Sequence, residues 1–209
     1  MTRTDAIAYP VSPSSWRNLP NFLTLLRLIL VVPFAIALLW EDGTSVPARI
    51  IATLIFAVAS LTDFVDGYLA RKKNLVTSFG KIADPIADKL LTGMALVGLS
   101  VLGQLSWWVT IVILGREILV TLMRFWVIRD GVIAASRGGK AKTVVQILAI
   151  MLYLLPLTGT ARTVSTWVMG AAVVLTVLTG VDYAVRAWRL RAAGIAREAD
   201  GVAREEGTT

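Results

Sequence analysis

"LTDFVDGYLARKKNLVTSFGKIADPIADKLL", residues 61–91, sets four aspartates, Asp63, Asp66, Asp84 and Asp88, inside or against stretches apolar enough for a lipid bilayer. Carboxylates are costly in such surroundings, so an intramembrane acid is a functional-site candidate by default. Their spacing says more. Asp63 and Asp66 are three apart and Asp84 and Asp88 four apart, so on helices each pair shares a face. The short turn over 72–79 makes the two helices antiparallel neighbours, and the two pairs can then face each other. Four carboxylates gathered in a half-dry pocket repel strongly, and one or two divalent cations supply the missing positive charge. The expectation is a metal cradle.

Neighbouring residues fit a ligand beside that cradle. Gly67 follows Asp66 and Ala70 lies one turn from it, so a bulky ligand can approach the helix backbone closely, although small residues also serve helix packing in membranes. Arg71 stands where a ligand phosphate would take a bidentate donor.

Composition narrows the chemistry. The 209 residues are 56% hydrophobic and only 17% charged, against about 45–50% and 25% in soluble domains, and the mean hydropathy is +0.71. That balance marks a single membrane domain. Cysteine and histidine are both absent, which excludes disulfides, thiolate nucleophiles, imidazole bases and Cys or His metal sites. Proton transfer falls to Asp, Glu, Lys, Tyr or water, and a metal would be held by oxygen, which suits magnesium, calcium or manganese. The net charge of +7 is read as cytoplasmic flanks facing anionic lipid rather than as a nucleic-acid surface.

At roughly 20 apolar residues per crossing, six segments stand out, about 20–40, 48–70, 80–103, 106–128, 141–158 and 164–187. The fold class is therefore all-α integral membrane with six transmembrane helices. The first segment follows about twenty polar residues and lacks a small-residue cleavage site, unlike a signal peptide. Glu41-Asp42-Gly43, Lys72-Lys73-Asn74, Gly138-Gly139 and Thr158-Gly159-Thr160 mark the turns, and Pro10 to Arg17 reads as an interfacial segment. Lys and Arg crowd the N-terminus, the 71–81 and 129–142 loops and the C-terminal tail, whereas the opposite loops hold only Arg49 and Arg162. The positive-inside rule then puts both termini, and the aspartate-bearing ends of helices 2 and 3, in the cytoplasm. The domain is expected over 20–188, after a juxtamembrane segment over 1–19 and before a charged tail over 189–209 that frays from helix.

The order Asp63-x2-Asp66-Gly67-x2-Ala70-Arg71-x8-Gly80-x3-Asp84-x3-Asp88 resembles, at every specified position, the signature of the CDP-alcohol phosphatidyltransferases. "NLPNFLTLLR" (18–27), "GREILVTLMR" (115–124), "GKAKTVVQ" (139–146) and, more weakly, "TGVDY" (179–183) resemble stretches of the family's phosphatidylglycerophosphate synthases. The resemblance implies a homodimeric six-helix enzyme of the bacterial inner membrane, with its active site open to the cytoplasm. It implies displacement of CMP from a CDP-lipid by the hydroxyl of a small alcohol, with Mg2+ or Mn2+ and two ions expected. Carried over by position, Asp63, Asp66 and Asp84 would hold metal, and Asp88 would be the general base that also touches it. Asn21, Thr24, Gly67, Ala70, Arg71 and Thr77 would line the CDP-lipid site.

Arg116 lies deep in helix 4, where an unpaired cation is expensive, and Lys140 and Lys142 open helix 5 on the aspartate side. These three are the candidate ligands for the phosphate of an anionic acceptor, which favours glycerol 3-phosphate. The alternatives are the same chemistry on another acceptor, phosphatidylglycerol or an inositol phosphate, and, more remotely, a divalent-cation transporter.

Overall fold

Apolar runs bounded by charged corners become helices in this protein. A computed structural model describes the backbone of residues 19–73, 78–127 and 137–206, and the side chains of 22–62, 87, 89–127 and 138–194. Among the described residues six α-helices follow one another: α1 (Leu19–Leu39), α2 (Val46–Lys73), α3 (Ser78–Val101), α4 (Trp107–Trp126), α5 (Arg137–Leu154) and α6 (Gly159–Glu206). Each of the six apolar segments read from the sequence falls mainly on one of these helices, and no strand occurs among the described residues. Among the described residues two helical stretches, Phe22–Gly43 and Gly159–Gly194, are long and apolar enough by themselves to cross a membrane.

The chain divides into two compact units, Met1–Gly98 and Leu99–Thr209. In the first, α1 packs along α2. Phe34 and Phe56 are both fully buried, with ring centroids 5.8 Å apart. The reversal between these helices is tight. Glu41, Asp42 and Gly43 all take positive φ, at 50°, 55° and 70°, a region glycine enters freely and aspartate more readily than most residues. Thr44 closes the turn by donating its hydroxyl to the Glu41 carbonyl at 2.6 Å, and Arg49 donates Nη1 to the Gly43 carbonyl at 3.3 Å. Further along, Gly98 of α3 meets Leu38 of α1 so closely that a Cβ there would lie 2.6 Å from Leu38 Cδ2.

In the second unit α6 packs against both α5 and α4. The corner after α3 turns on Gly103, at φ 66°, with the Gln104 and Leu105 amides both donating to the Leu99 carbonyl. Arg162, at the start of α6, donates Nη2 to the Gln104 carbonyl at 2.7 Å and stacks its guanidinium 4.2 Å from the Tyr153 ring centroid. The corners before α4 and before α6 therefore lie at one end of this unit. Arg49 and Arg162, the two cations on the side the sequence reading places outside the cytoplasm, thus each bond a corner carbonyl.

One local reading changes. Gly138 and Gly139, expected as a turn, sit in the first turn of α5. A glycine weakens a helix mainly in its interior, and first-turn amides lack intrahelical partners in any case. The charged tail, read from sequence as helix, continues α6 to Glu206, since an Ala-, Arg- and Glu-rich sequence favours helix without needing lipid. At 1.5 Å per residue, α6 is about 72 Å long, more than twice a bilayer core.

Candidate active site

The aspartate pairs lie on helical backbone, as their spacing predicts. Asp63 and Asp66 fall within α2, and Asp84 and Asp88 within α3. Gly67, Ala70 and Arg71 follow on α2 and Asn21 lies in the first turn of α1. The side chains of all these residues, and Thr77 altogether, lie outside the described residues. Of the positions expected around the CDP-lipid, Thr24 is described, and it is fully buried in α1. One turn further along α1, Arg27 is 1% exposed and donates Nε to the Ala59 carbonyl of α2 at 3.3 Å. In an α-helix that carbonyl is the one offered to the amide of Asp63.

The cations expected to bind the acceptor are only partly gathered. Arg116 of α4 and Lys142 of α5 meet on a single carboxylate, Glu117. Lys142 Nζ donates to Glu117 Oε1 in a close ion pair, and Arg116 Nη1 approaches the same oxygen at 3.2 Å. Arg116 Nη2 donates to Thr179 Oγ1 of α6 at 3.1 Å, and the Thr179 hydroxyl lies 2.7 Å from the Leu175 carbonyl one turn back. The side chains of Lys142, Arg116 and Glu117 are 5%, 16% and 23% exposed, so the cluster is largely withdrawn from solvent. Gly180 makes room for it, because a Cβ there would lie 3.0 Å from Arg116 Cγ. Lys140 is exposed. Two residues before Lys142, it points roughly 200° away around α5.

Several polar atoms within a helical turn of these contacts are buried with no hydrogen-bond partner: Arg116 Nε, Gln146 Oε1 on α5, and Thr176 Oγ1 and the Tyr183 hydroxyl on α6. Buried polar groups are normally bonded; Arg116 Nε and the Thr176 and Tyr183 hydroxyls are spare donors beside two cations and suit an anionic ligand rich in oxygen, while Gln146 Oε1 can accept from a ligand hydroxyl. Glu117, Thr179 and Gly180 were not among the residues singled out from sequence as ligands. A signal was present: Glu117 is an acid inside an apolar helix, and Thr179 and Gly180 open the "TGVDY" stretch.

Among the described residues no three His, Cys, Asp or Glu side chains gather as a metal site. The donor set that the two helices carry, Asp63, Asp66, Asp84 and Asp88, is oxygen only and fits a hard divalent ion such as magnesium or manganese.

Comparison with known proteins agrees with this chemistry. The profile of the CDP-alcohol phosphatidyltransferase family matches residues 17–178. A probable phosphatidylglycerophosphate synthase of Mycobacterium tuberculosis is 55% identical over 172 residues, 82% of each chain. A CDP-diacylglycerol–glycerol-3-phosphate 3-phosphatidyltransferase of Bacillus subtilis is 41% identical over 184 residues, covering 82% of this chain and 95% of its own. One of the same name from Rickettsia typhi is 40% identical over 172 residues, with 80% and 95% covered. The chain belongs to the CDP-alcohol phosphatidyltransferase family, and it is an enzyme.

Proposed function

We propose, from that family membership, that this enzyme transfers the phosphatidyl group of CDP-diacylglycerol to glycerol 3-phosphate, releasing CMP and leaving phosphatidylglycerophosphate in the membrane. The observation that carries the choice of acceptor is the convergence of Arg116 and Lys142 on one carboxylate beside an unbonded guanidinium Nε. A neutral alcohol has no use for two buried cations, whereas a phosphomonoester has. The names of the relatives from Bacillus subtilis and Rickettsia typhi support the same acceptor.

All six helices span the bilayer of a bacterial cell, with both termini and the aspartate-bearing ends of α2 and α3 on the cytoplasmic side; the distribution of Lys and Arg supports this orientation. The enzyme acts as a homodimer. The diacylglycerol chains of the donor stay in lipid. Asn21, Thr24, Gly67, Ala70, Arg71 and Thr77 line the site of its cytidine diphosphate, where the small residues let the nucleotide lie against α2 and Arg71 bonds a phosphate.

Asp63, Asp66, Asp84 and Asp88 are the residues that would hold divalent metal, two ions of Mg2+ or Mn2+. When bound, such ions neutralise the diphosphate and the charge that develops on the departing phosphate. Asp88 accepts the proton of the sn-1 hydroxyl of glycerol 3-phosphate. The oxygen so freed forms a bond to the lipid-linked phosphorus, and the bond from that phosphorus to the oxygen of CMP breaks. No covalent enzyme intermediate is needed. Arg116 and Lys142 fix the acceptor by its phosphate, which turns a bimolecular attack into one between held partners, and Lys140 adds to the local positive field.

Purified protein given CDP-diacylglycerol and a panel of acceptors tests this reading. Glycerol 3-phosphate should support CMP release at least tenfold faster than phosphatidylglycerol, an inositol phosphate or glycerol. A faster reaction with phosphatidylglycerol would make the product cardiolipin and overturn the choice of acceptor. Metal flux into liposomes without CMP release would overturn the enzyme reading.

A further inference from the structure

The ion pair between Lys142 and Glu117 raises a question the proposed reaction leaves open. If Lys142 and Arg116 bind the acceptor's phosphate, a carboxylate already stands where that phosphate must go. We infer that Glu117 is a built-in competing anion: it holds Lys142 and Arg116 while no acceptor is bound, yields them to the phosphate of the incoming acceptor, and expels the product's phosphate by taking them back.

The charges support the exchange. Arg116 and Lys142 against Glu117 leave one net positive charge among these three. A phosphomonoester carries about −1.5 to −2 at neutral pH, so it outbids a single carboxylate for two cations and also finds the buried Nε of Arg116 without a partner. With these side chains only 5–23% exposed, both the attraction and the competition are stronger than in water. Glu117 is the most exposed of the three side chains, at 23%, so it is the one with room to swing aside. Arg116, held by Thr179 and packed on Gly180, is fixed.

The need for a competitor follows from the chemistry. The phosphate of the acceptor is not consumed; phosphatidylglycerophosphate still carries it as a terminal monoester. A site with two buried cations and no internal anion would bind product as firmly as acceptor and release it slowly. A carboxylate that returns to Lys142 lowers the affinity for both and speeds release, trading a higher KM for a higher kcat. This inference rests on the proposal that Arg116 and Lys142 form the acceptor-phosphate site.

Glu117→Gln removes the competing charge while keeping the shape. In the purified full-length enzyme, the KM for glycerol 3-phosphate and the inhibition constant of inorganic phosphate should both fall, by about tenfold for one displaced charge-assisted contact. The kcat should fall with them, and the KM for CDP-diacylglycerol should stay unchanged. A merely structural Glu117 would move these constants the other way, because its loss would leave Lys142 misplaced. Either acceptor-side constant unchanged or raised would overturn the inference, and a fall in both with undiminished kcat would overturn the release step. If the Gln variant does not fold, Glu117→Asp, which keeps the charge but withdraws it from Lys142, should lower both constants by a smaller factor; unchanged or raised constants overturn the inference equally. Arg116→Met separates the two levels. If it leaves the KM for glycerol 3-phosphate unchanged, the acceptor-site reading itself is wrong. If it raises that KM while Glu117→Gln lowers neither constant, only the role of Glu117 is wrong.

Discussion

Arg27 Nε of α1 donates to the Ala59 carbonyl of α2 at 3.3 Å, which sets a guanidinium only 1% exposed against the turn that leads into Asp63. Its aliphatic stem fills space between two packed helices as well as carrying charge. Arg27→Ala should therefore lower stability by about 2–4 kcal/mol through the cavity it leaves. Arg27→Met, which keeps most of the stem, should cost clearly less than Arg27→Ala, because the methionine side chain refills the space between the helices. Unfolding in detergent checks both, and equal losses would mean that the charge rather than the stem is what the helices need.

Trp167 and Trp188 stand 77% and 70% exposed on α6, 21 residues apart, which is about 32 Å along the helix and close to a bilayer core. Trp107 and Trp126 bracket α4 in the same way, both at least half exposed. Tryptophan gathers at the two membrane interfaces. The chain contains no cysteine, so single introduced cysteines can be spin-labelled without background. A label at Leu178, which is 60% exposed, should show maximal oxygen and minimal aqueous-reagent collision, with labels at 167 and 188 at interfacial values. A flat profile would contradict this placement of α6.

Lys140 and Lys142 should behave differently despite their proximity in sequence. Lys142 is buried and paired, whereas Lys140 is exposed. Lys142→Met should raise the KM for glycerol 3-phosphate by about tenfold or more, the scale of one lost contact to a charged group. Lys140→Met should raise it by less than about threefold, and less still in high salt, which screens exposed charges. Steady-state kinetics at two ionic strengths decide it.

Gly180→Ala tests the packing that fixes Arg116. The added methyl would lie 3.0 Å from Arg116 Cγ and force the side chain to shift, whereas Gly170 has nothing within 4 Å of an added Cβ. Gly180→Ala should raise the KM for glycerol 3-phosphate about threefold to tenfold, because small misplacements of a positioning group are costly. Gly170→Ala should leave it unchanged.

Much of the fold was legible because hydropathy and helix length are local. The six apolar segments became six helices, and Glu41-Asp42-Gly43 marked a reversal that takes positive φ. What was missed depends on context. Gly138-Gly139 read as a break, yet glycine costs little where a helix begins. Glu117 escaped notice because its partner Lys142 lies 25 residues away, and no pattern along α4 announces a pairing made by α5. Lys140 and Lys142 looked equivalent as neighbours, and helical geometry put them on different faces. The aspartates stood out for the opposite reason: their meaning lies in residue type and spacing within one stretch.

The central claim, that four aspartates on α2 and α3 support metal-dependent transfer to glycerol 3-phosphate, is tested most directly by CMP release. Purified enzyme with CDP-diacylglycerol is stripped of metal by chelation and then given Mg2+ or Mn2+, with and without glycerol 3-phosphate, beside Asp66→Asn and Asp84→Asn variants. CMP should appear only when metal and acceptor are both present, one for one with phosphatidylglycerophosphate, and at least about a hundredfold more slowly in either variant. CMP release at full rate in chelator, or undiminished in the variants, would contradict the account.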